Sequence, residues 1–432
     1  MDIGIIGGGA SGMILASKLN KHNVTILEKN NKLGKKLLLT GNGKCNFTNM
    51  DFNNLDYIYN CKFAKTIFKR YDNYSFIEYL NSLGIVSKVE THKNIDYVYP
   101  NNNKSTSIYY ALYDKIINNK INIEYNSNVI NIIKKNNKFF VYTIDNKNYE
   151  FDILIFAFGG STYAKTGSDG SCFSIVKKLG LTVNDVLPGL TPLKYKIDNI
   201  DVNKINFTGF RVDAYVSIKD KDNNVLSEYG EIQFTKENVS GIPILNLSSK
   251  LARIQSSYKN DIDIIFDFSC NLVNSVNVSN KSSYFNLSYE EKNNKVINIL
   301  KLRRNLIPYK KIDDFLCGYL PDELNLIITS LLNLKNKKVS DLTDDDLINI
   351  SNLIISFKIK IIKQNNYENA QISVGGIDTN EFYENSLEAK KIKGLYAIGE
   401  ALDIDGICGG YNLQMCYSSA SVVSNHILNM EG

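Results

Sequence analysis

Gly7, Gly9 and Gly12 have the G-x-G-x-x-G spacing with which a backbone closes around phosphates. They stand between an apolar run, residues 2–6, and a helix-forming stretch, residues 13–19. A second apolar run, residues 24–27, ends in Glu28. Gly7 would make the tight turn, Gly9 would admit a pyrophosphate beside the main chain, and Gly12 would let helix and strand pack closely. Ala10 and Ser11 fall at the helix N-terminus that faces the phosphates, and Glu28 sits where a carboxylate bonds ribose hydroxyls. A lone glycine motif is weak, but strand, glycines, helix, strand and acid in that order predict a dinucleotide site.

The far end of the chain carries a related pattern. Residues 395–398 read as a strand reaching Gly399 and Glu400; Gly406, Gly409, Gly410, Tyr411 and Asn412 then lead into a helix of small and apolar residues. A cofactor held by both chain ends is long, which favours FAD over NAD. Helix amides after Gly410 could face the flavin's pyrimidine edge, where negative charge develops on reduction. No second phosphate signature is visible, so NAD(P)H is expected only as a transient electron donor.

Residues 40–49 are small and polar around Gly41 and Gly43, a loop suited to solvent or to wrapping a polar ligand. Cys45 is its chemically active member, flanked by Lys44 and Asn46, and a thiol beside a cation gains thiolate character. Two readings stand: Cys45 faces the flavin and supplies a proton, or it is a small packing residue beneath the cofactor.

These segments, T-G-N-G-K-C-N-F-T-N at 40–49 and residues 399–414, resemble the BaiN/RdsA family of FAD-dependent oxidoreductases, the HI0933-like flavoproteins. Residues 158–161 with 167–170, 188–193, 230–235 and 373–377 agree in register, so the resemblance covers essentially the whole chain. Lys44 stands where many members have Arg, and Lys236 where a His is common. With the two glycine turns, the resemblance implies a cofactor-binding set of Gly7, Gly9, Ala10, Ser11, Gly12, Glu28, Lys29, Lys36, Thr40, Gly41, Gly43, Asn46, Gly159, Gly160, Gly399, Glu400, Gly410, Tyr411 and Asn412.

The family is associated with two reductions, of a conjugated alkene in oxidised bile acids and of uridine to dihydrouridine in large-subunit ribosomal RNA. Both need hydride from flavin N5 at the β-carbon of a C=C conjugated to a carbonyl, and a proton at the α-carbon. For uracil these are C6 and C5. The protein must hold the alkene ~3.5 Å from the flavin with a donor on the far side. Cys45 and Tyr411 are the catalytic candidates, with Asn46 and Asn412 as carbonyl or flavin-edge partners. Asp169 and Glu400 read either as acid–base partners or as cofactor-hydroxyl and turn-capping groups.

Composition narrows the field. The chain has 432 residues, 44% hydrophobic and 22% charged, the balance of an ordinary globular protein with more than one domain. Three histidines without H-E-x-x-H spacing and seven cysteines without a C-x-x-C pair argue against metal and against a disulfide framework. No apolar run reaches the length of a membrane span and no basic leader opens the chain, so the expected location is cytoplasmic, off the membrane. A net charge of +5 permits a nucleic-acid partner without demanding one. Basic clusters at 134–135, 301–304, 310–311 and 335–338 are either a phosphate path or solvated surface.

The expected fold is α/β: a discontinuous Rossmann-like FAD-binding domain, residues 1–190 plus 368–432, an inserted β-rich domain, 191–287, and a small helical subdomain, 288–367. Residues 121–125, 128–133 and 139–142 read as a small meander feeding a buried strand at 151–157, and residues 63–83 and 105–117 as helices. The leading function is an FAD-dependent reductase acting on uridine in ribosomal RNA. Alternatives are a reductase of a small enone such as a 3-oxo bile acid or steroid, and a flavin-bound RNA- or protein-binding scaffold without turnover.

Overall fold

A computed structural model describes residues 1–51, 58–92, 95–199, 209–219, 225–255, 262–273, 287–362 and 367–431. The chain divides into two compact units, Met1–Gly189 with Asn366–Gly432, and Leu190–Asn365.

The first unit is built on a five-stranded parallel sheet in the order Leu395–Ala397, Ile153–Phe156, Asp2–Ile6, Asn23–Leu27, Asn122–Glu124. Ile3 pairs with Ile153 on one side and Val24 on the other, and Ile6 with Phe156 and Leu27. Strands covered on both faces need continuous apolar sequence, which is what residues 3–6 and 153–156 supply. The helix Ala10–Lys18 packs on the sheet beside the long C-terminal helix Tyr411–Leu428. The α/β class and Rossmann-like parallel sheet expected from the glycine unit are therefore present.

Two local readings are corrected. The segment at 121–125 is not part of the meander: Asn122–Glu124 pairs with Asn23–Leu27 as the outermost parallel strand. The meander is instead Val129–Lys135, Lys138–Thr143 and Asn148–Phe151. The helix expected over 63–83 is two, Cys61–Phe68 and Asn73–Ser82. Asp72 caps the second, accepting from Ser75 N at 2.9 Å. An N-cap acid in extended conformation ends one helix and starts the next.

The second unit holds a closed six-stranded antiparallel barrel, with Phe210–Lys219 and Val225–Phe234 as its longest hairpin. Helices Tyr289–Leu306 and Asp344–Ile355 open with capping boxes, Ser288 with Glu291 and Thr343 with Asp346. Residues read from sequence as separate β-rich and helical parts share one core here: Val216, Phe266 and Phe357 from the barrel are buried in the same cluster as Leu300, Leu324 and Ile350 from the helices.

Candidate functional site

Parallel strands end at one edge, and ligands of such sheets bind outside their carboxyl ends. Here the residues after all five strands meet in one cleft: Gly7–Ser11 in number order 7–11, Glu28 and Lys29, residues 127–129, residues 157–159, and Glu400. The cleft encloses about 1240 Å³ of space including its open mouth, above the ~300–1,000 Å³ of pockets for drug-sized molecules and suited to a longer ligand.

The glycine turn has distinct demands at each position. Gly7 has φ +100° and a Cβ there would lie 2.7 Å from Ala157 O; at Gly12 it would lie 2.1 Å from Gly7 O. These two are set by backbone packing. Gly9 has φ −75°, and the nearest atom to an added Cβ is Ala157 O at 4.0 Å. The space beside Gly9 is thus open cleft, the cradle a diphosphate needs, and the residues fit a dinucleotide.

Glu28, 7% exposed, accepts from Gly8 N at 2.8 Å, Asn30 N at 2.8 Å and Asn30 Nδ2 at 2.7 Å. A carboxylate has about four lone-pair sites, so these bonds orient it and leave acceptor capacity. Asn30 Nδ2 also reaches Thr166 O at 3.0 Å, and Lys29 Nζ reaches Asp169 Oδ2 at 2.6 Å. Burial pushes the Asp169 carboxyl up, but hydrogen bonds from Lys29 and Ser171 outweigh it and hold the group below its ordinary value. Segments 28–30 and 166–171 are stapled together on the cleft wall.

On the same wall Lys36 Nζ lies 2.8 Å from Glu400 Oε2 and 2.9 Å from Thr162 Oγ1. Glu400 Oε1 accepts from Ser373 N at 2.7 Å. Gly160 does not border the cleft; a Cβ there would fall 2.1 Å from Ser373 Oγ and 2.8 Å from Glu400 Oε1, so its lack of a side chain makes room for this network.

Of the expected cofactor set, Gly7, Gly9, Ala10, Ser11, Glu28, Lys29, Lys36, Thr40, Gly159, Glu400 and Asn412 line the cleft. Gly12, Gly41, Gly43, Asn46, Gly160, Gly399, Gly410 and Tyr411 do not. Gly399 and Gly410 have φ +63° and +86°, and added Cβ atoms would meet Ser11 Oγ at 2.8 Å and Thr48 Cα at 2.7 Å. The Asn46 amide nitrogen donates to Thr48 O at 2.7 Å and Val98 O at 3.2 Å. Asn412, though at the cleft, spends its side chain on Gly406, accepting from N and donating to O at 2.9 Å each.

The catalytic candidates also stand away from the cleft wall. Cys45 is fully buried with φ +59°, and burial pushes its thiol up to about 12, with a hydrogen bond to Thr40 pulling the other way. Lys44 does not give it the thiolate character expected from sequence, because desolvation dominates. Tyr411 is 3% exposed and its hydroxyl donates to Asp51 O at 3.1 Å.

Sequence reasoning missed Lys32, Lys35, residues 127–129, Ser168, Cys172, Gln371, Ile404 and Cys416 on the cleft wall. Residues 127–129 follow an edge strand whose pairing was not foreseen, so no signal placed them there.

The basic clusters are engaged by the protein itself. Lys301 and Arg304 each lie 2.9 Å from Asp344, Lys337 lies 3.1 Å from Asp346, and Arg303 donates to the carbonyls of Phe315 and Cys317. Lys134 donates to Lys393 O. Among the described residues no helix is long and apolar enough to cross a membrane, and no cluster of three metal-ligating side chains occurs.

Three curated relatives match nearly end to end. The chain is 30% identical over 426 residues to a 3-dehydro-bile acid delta(4,6)-reductase of Clostridium scindens, covering 96% of each chain. It is 25% identical to a ribosomal RNA dihydrouridine synthase of Escherichia coli, covering 96% of this chain and 95% of that one. To the ribosomal RNA dihydrouridine synthase of Haemophilus influenzae it is 26% identical, covering 96% of each. The family described as HI0933-like protein Rossmann domain matches residues 1–426, and the chain belongs to that family.

Proposed function

We propose that the protein is an FAD-dependent reductase of a carbonyl-conjugated C=C, with uridine in large-subunit ribosomal RNA as substrate and NAD(P)H as electron donor. The observation that carries the reaction class is the single cleft uniting the glycine turn, Glu28 and the Lys36–Glu400 pair. Relatives named for a bile-acid reduction and for dihydrouridine formation both add hydrogen across such a bond.

FAD, when bound, supplies hydride to the β-carbon, C6 of uracil. The turn at 7–12 and the N-terminus of Ala10–Lys18 receive the diphosphate, and Glu28 accepts a ribose hydroxyl. Lys36, anchored on Glu400 and Thr162, keeps a positive charge on the wall of the cleft, favourable to the negative charge a flavin gains on reduction. With Cys45 and Tyr411 off that wall, water entering the open cleft is the proton source at C5.

A second reading, a small enone as substrate, draws on the 30% identity to the bile-acid reductase and on the ion-paired state of the basic clusters. The dihydrouridine content of large-subunit ribosomal RNA from the source cell, with and without the gene, separates the two. Loss on deletion and restoration by purified protein with FAD and NADH supports the RNA substrate. Unchanged RNA, with NADH-dependent bleaching of the flavin and turnover of a steroid enone, establishes the second reading. Failure of NADH or NADPH to bleach the flavin supports a scaffold without turnover.

A further inference from the structure

Among the cleft-lining residues described, Ser168 presents a buried side-chain oxygen with no hydrogen-bond partner in the protein. The residue is 6% exposed. A buried hydroxyl left unpaired costs free energy, and a native chain retains one where something else pairs with it.

Its surroundings identify the pairing group. Ser168 Oγ lies 3.2 Å from where a Cβ on Gly159 would stand, and Gly159 lines the cleft with φ +78°. The segment that leads into Gly159 also borders the phosphate turn: a Cβ on Gly7 would stand 2.7 Å from both Ala157 O and Phe158 Cα. Preceding Ser168, Gly167 packs against Asn30, whose side chain donates to the Glu28 carboxylate. Following it, Asp169 is held by Lys29. Ser168 is thereby fixed between the diphosphate turn and the ribose-binding acid.

We infer that Ser168 Oγ donates a hydrogen bond to an oxygen of the adenosine diphosphate half of the bound dinucleotide, with the Lys29–Asp169 and Asn30–Thr166 contacts holding its loop in place. The inference rests on the reading of this cleft as an FAD site and adds to it a ligand that no sequence signal assigned. A hydroxyl donor suits a phosphate or ribose oxygen and offers nothing to the isoalloxazine ring.

The test uses full-length protein stripped of flavin. Dissociation constants for FAD, ADP and FMN are measured by fluorescence or calorimetry for the wild type and Ser168→Ala, together with ligand-free melting temperatures. Losing one hydrogen bond to a charged acceptor weakens FAD and ADP by roughly tenfold and leaves FMN unchanged. The ligand-free melting temperature stays level or rises, because an unpaired buried hydroxyl has been removed. Equal FAD and ADP affinities in the two proteins overturn the inference. So does a ligand-free Ser168→Ala that melts lower and weakens all three ligands together, which marks a packing role. A wild-type protein that binds neither FAD nor ADP defeats the cofactor reading itself, a result distinct from failure of Ser168 alone.

Discussion

Lys36 Nζ contacts both carboxylate oxygens of Glu400, at 3.0 and 2.8 Å, across 364 positions of sequence. The pair ties the first unit's N-terminal segment to the segment that follows the insertion, and its side chains are about one-fifth exposed.

Glu400→Ala strands the Lys36 ammonium and frees Ser373 N, so the protein should lose ~1–3 kcal/mol of stability, less than for a fully dry pair because solvent reaches this one. A urea midpoint unchanged from wild type would show the pair to be solvated and without consequence.

Gly9→Val and Gly12→Ala should part company. Beside Gly9 lies open cleft, so the valine variant should fold with a near-normal melting temperature yet purify colourless. At Gly12 a methyl meets Gly7 O at 2.1 Å, so the alanine variant should unfold several degrees lower, in line with a 1–3 kcal/mol overpacking cost of about that order. A yellow, flavin-loaded Gly9→Val would remove the phosphate role of the turn.

Cys45 should resist iodoacetamide at pH 8 in the native protein, whereas exposed Cys317 reacts, and should become reactive only in denaturant. Its thiol stays protonated in the fold up to about 12 while the unfolded thiol ionises near 9.0. Above that lower value the unfolded chain binds fewer protons, so stability falls as pH rises from about 9 toward 12, by at most ~1.4 kcal/mol per pH unit from this group. Cys45→Ala should flatten that slope in urea titrations and leave the pH profile of turnover as it was. A turnover lost with flavin retained would return Cys45 to the proton-donor role.

Tyr411→Phe removes a hydroxyl bonded to Asp51 O and should cost ~0.5–1.5 kcal/mol in chemical denaturation. Single-turnover reoxidation of the reduced flavin by substrate should keep its rate. A large fall in that rate with unaltered stability would reinstate Tyr411 as an acid.

The glycine unit was legible because its demands are local: Gly7 and Gly12 are fixed by contacts within ten residues of themselves or with the neighbouring strand. The buried strand Ile153–Phe156 and the strand before Gly399 were equally plain, since continuous apolar runs ending in glycine have few other uses. Asn122–Glu124 was hidden because three residues carry too little pattern to tell a parallel edge strand from a meander arm. The burial of Cys45 was hidden for a different reason. Its polar neighbours Lys44 and Asn46 face away from the core while φ +59° turns the thiol inward, and side-chain direction at a positive φ is not written in composition. Ser168 lay in a quoted segment, but its unpaired hydroxyl exists only once the fold surrounds it.

The outermost parallel strand Leu395–Ala397 pairs with Ile153–Phe156 only after the second unit has been translated. The barrel and its helices own a separate core and can condense on the nascent chain as soon as they leave the exit tunnel. The N-terminal half, made first, must wait with a sheet edge unpaired, which is a template for association with other chains. Cofactor capture is therefore a late event in the life of the polypeptide, and chaperone demand should fall on residues 1–189 during the interval when the insertion is being synthesised.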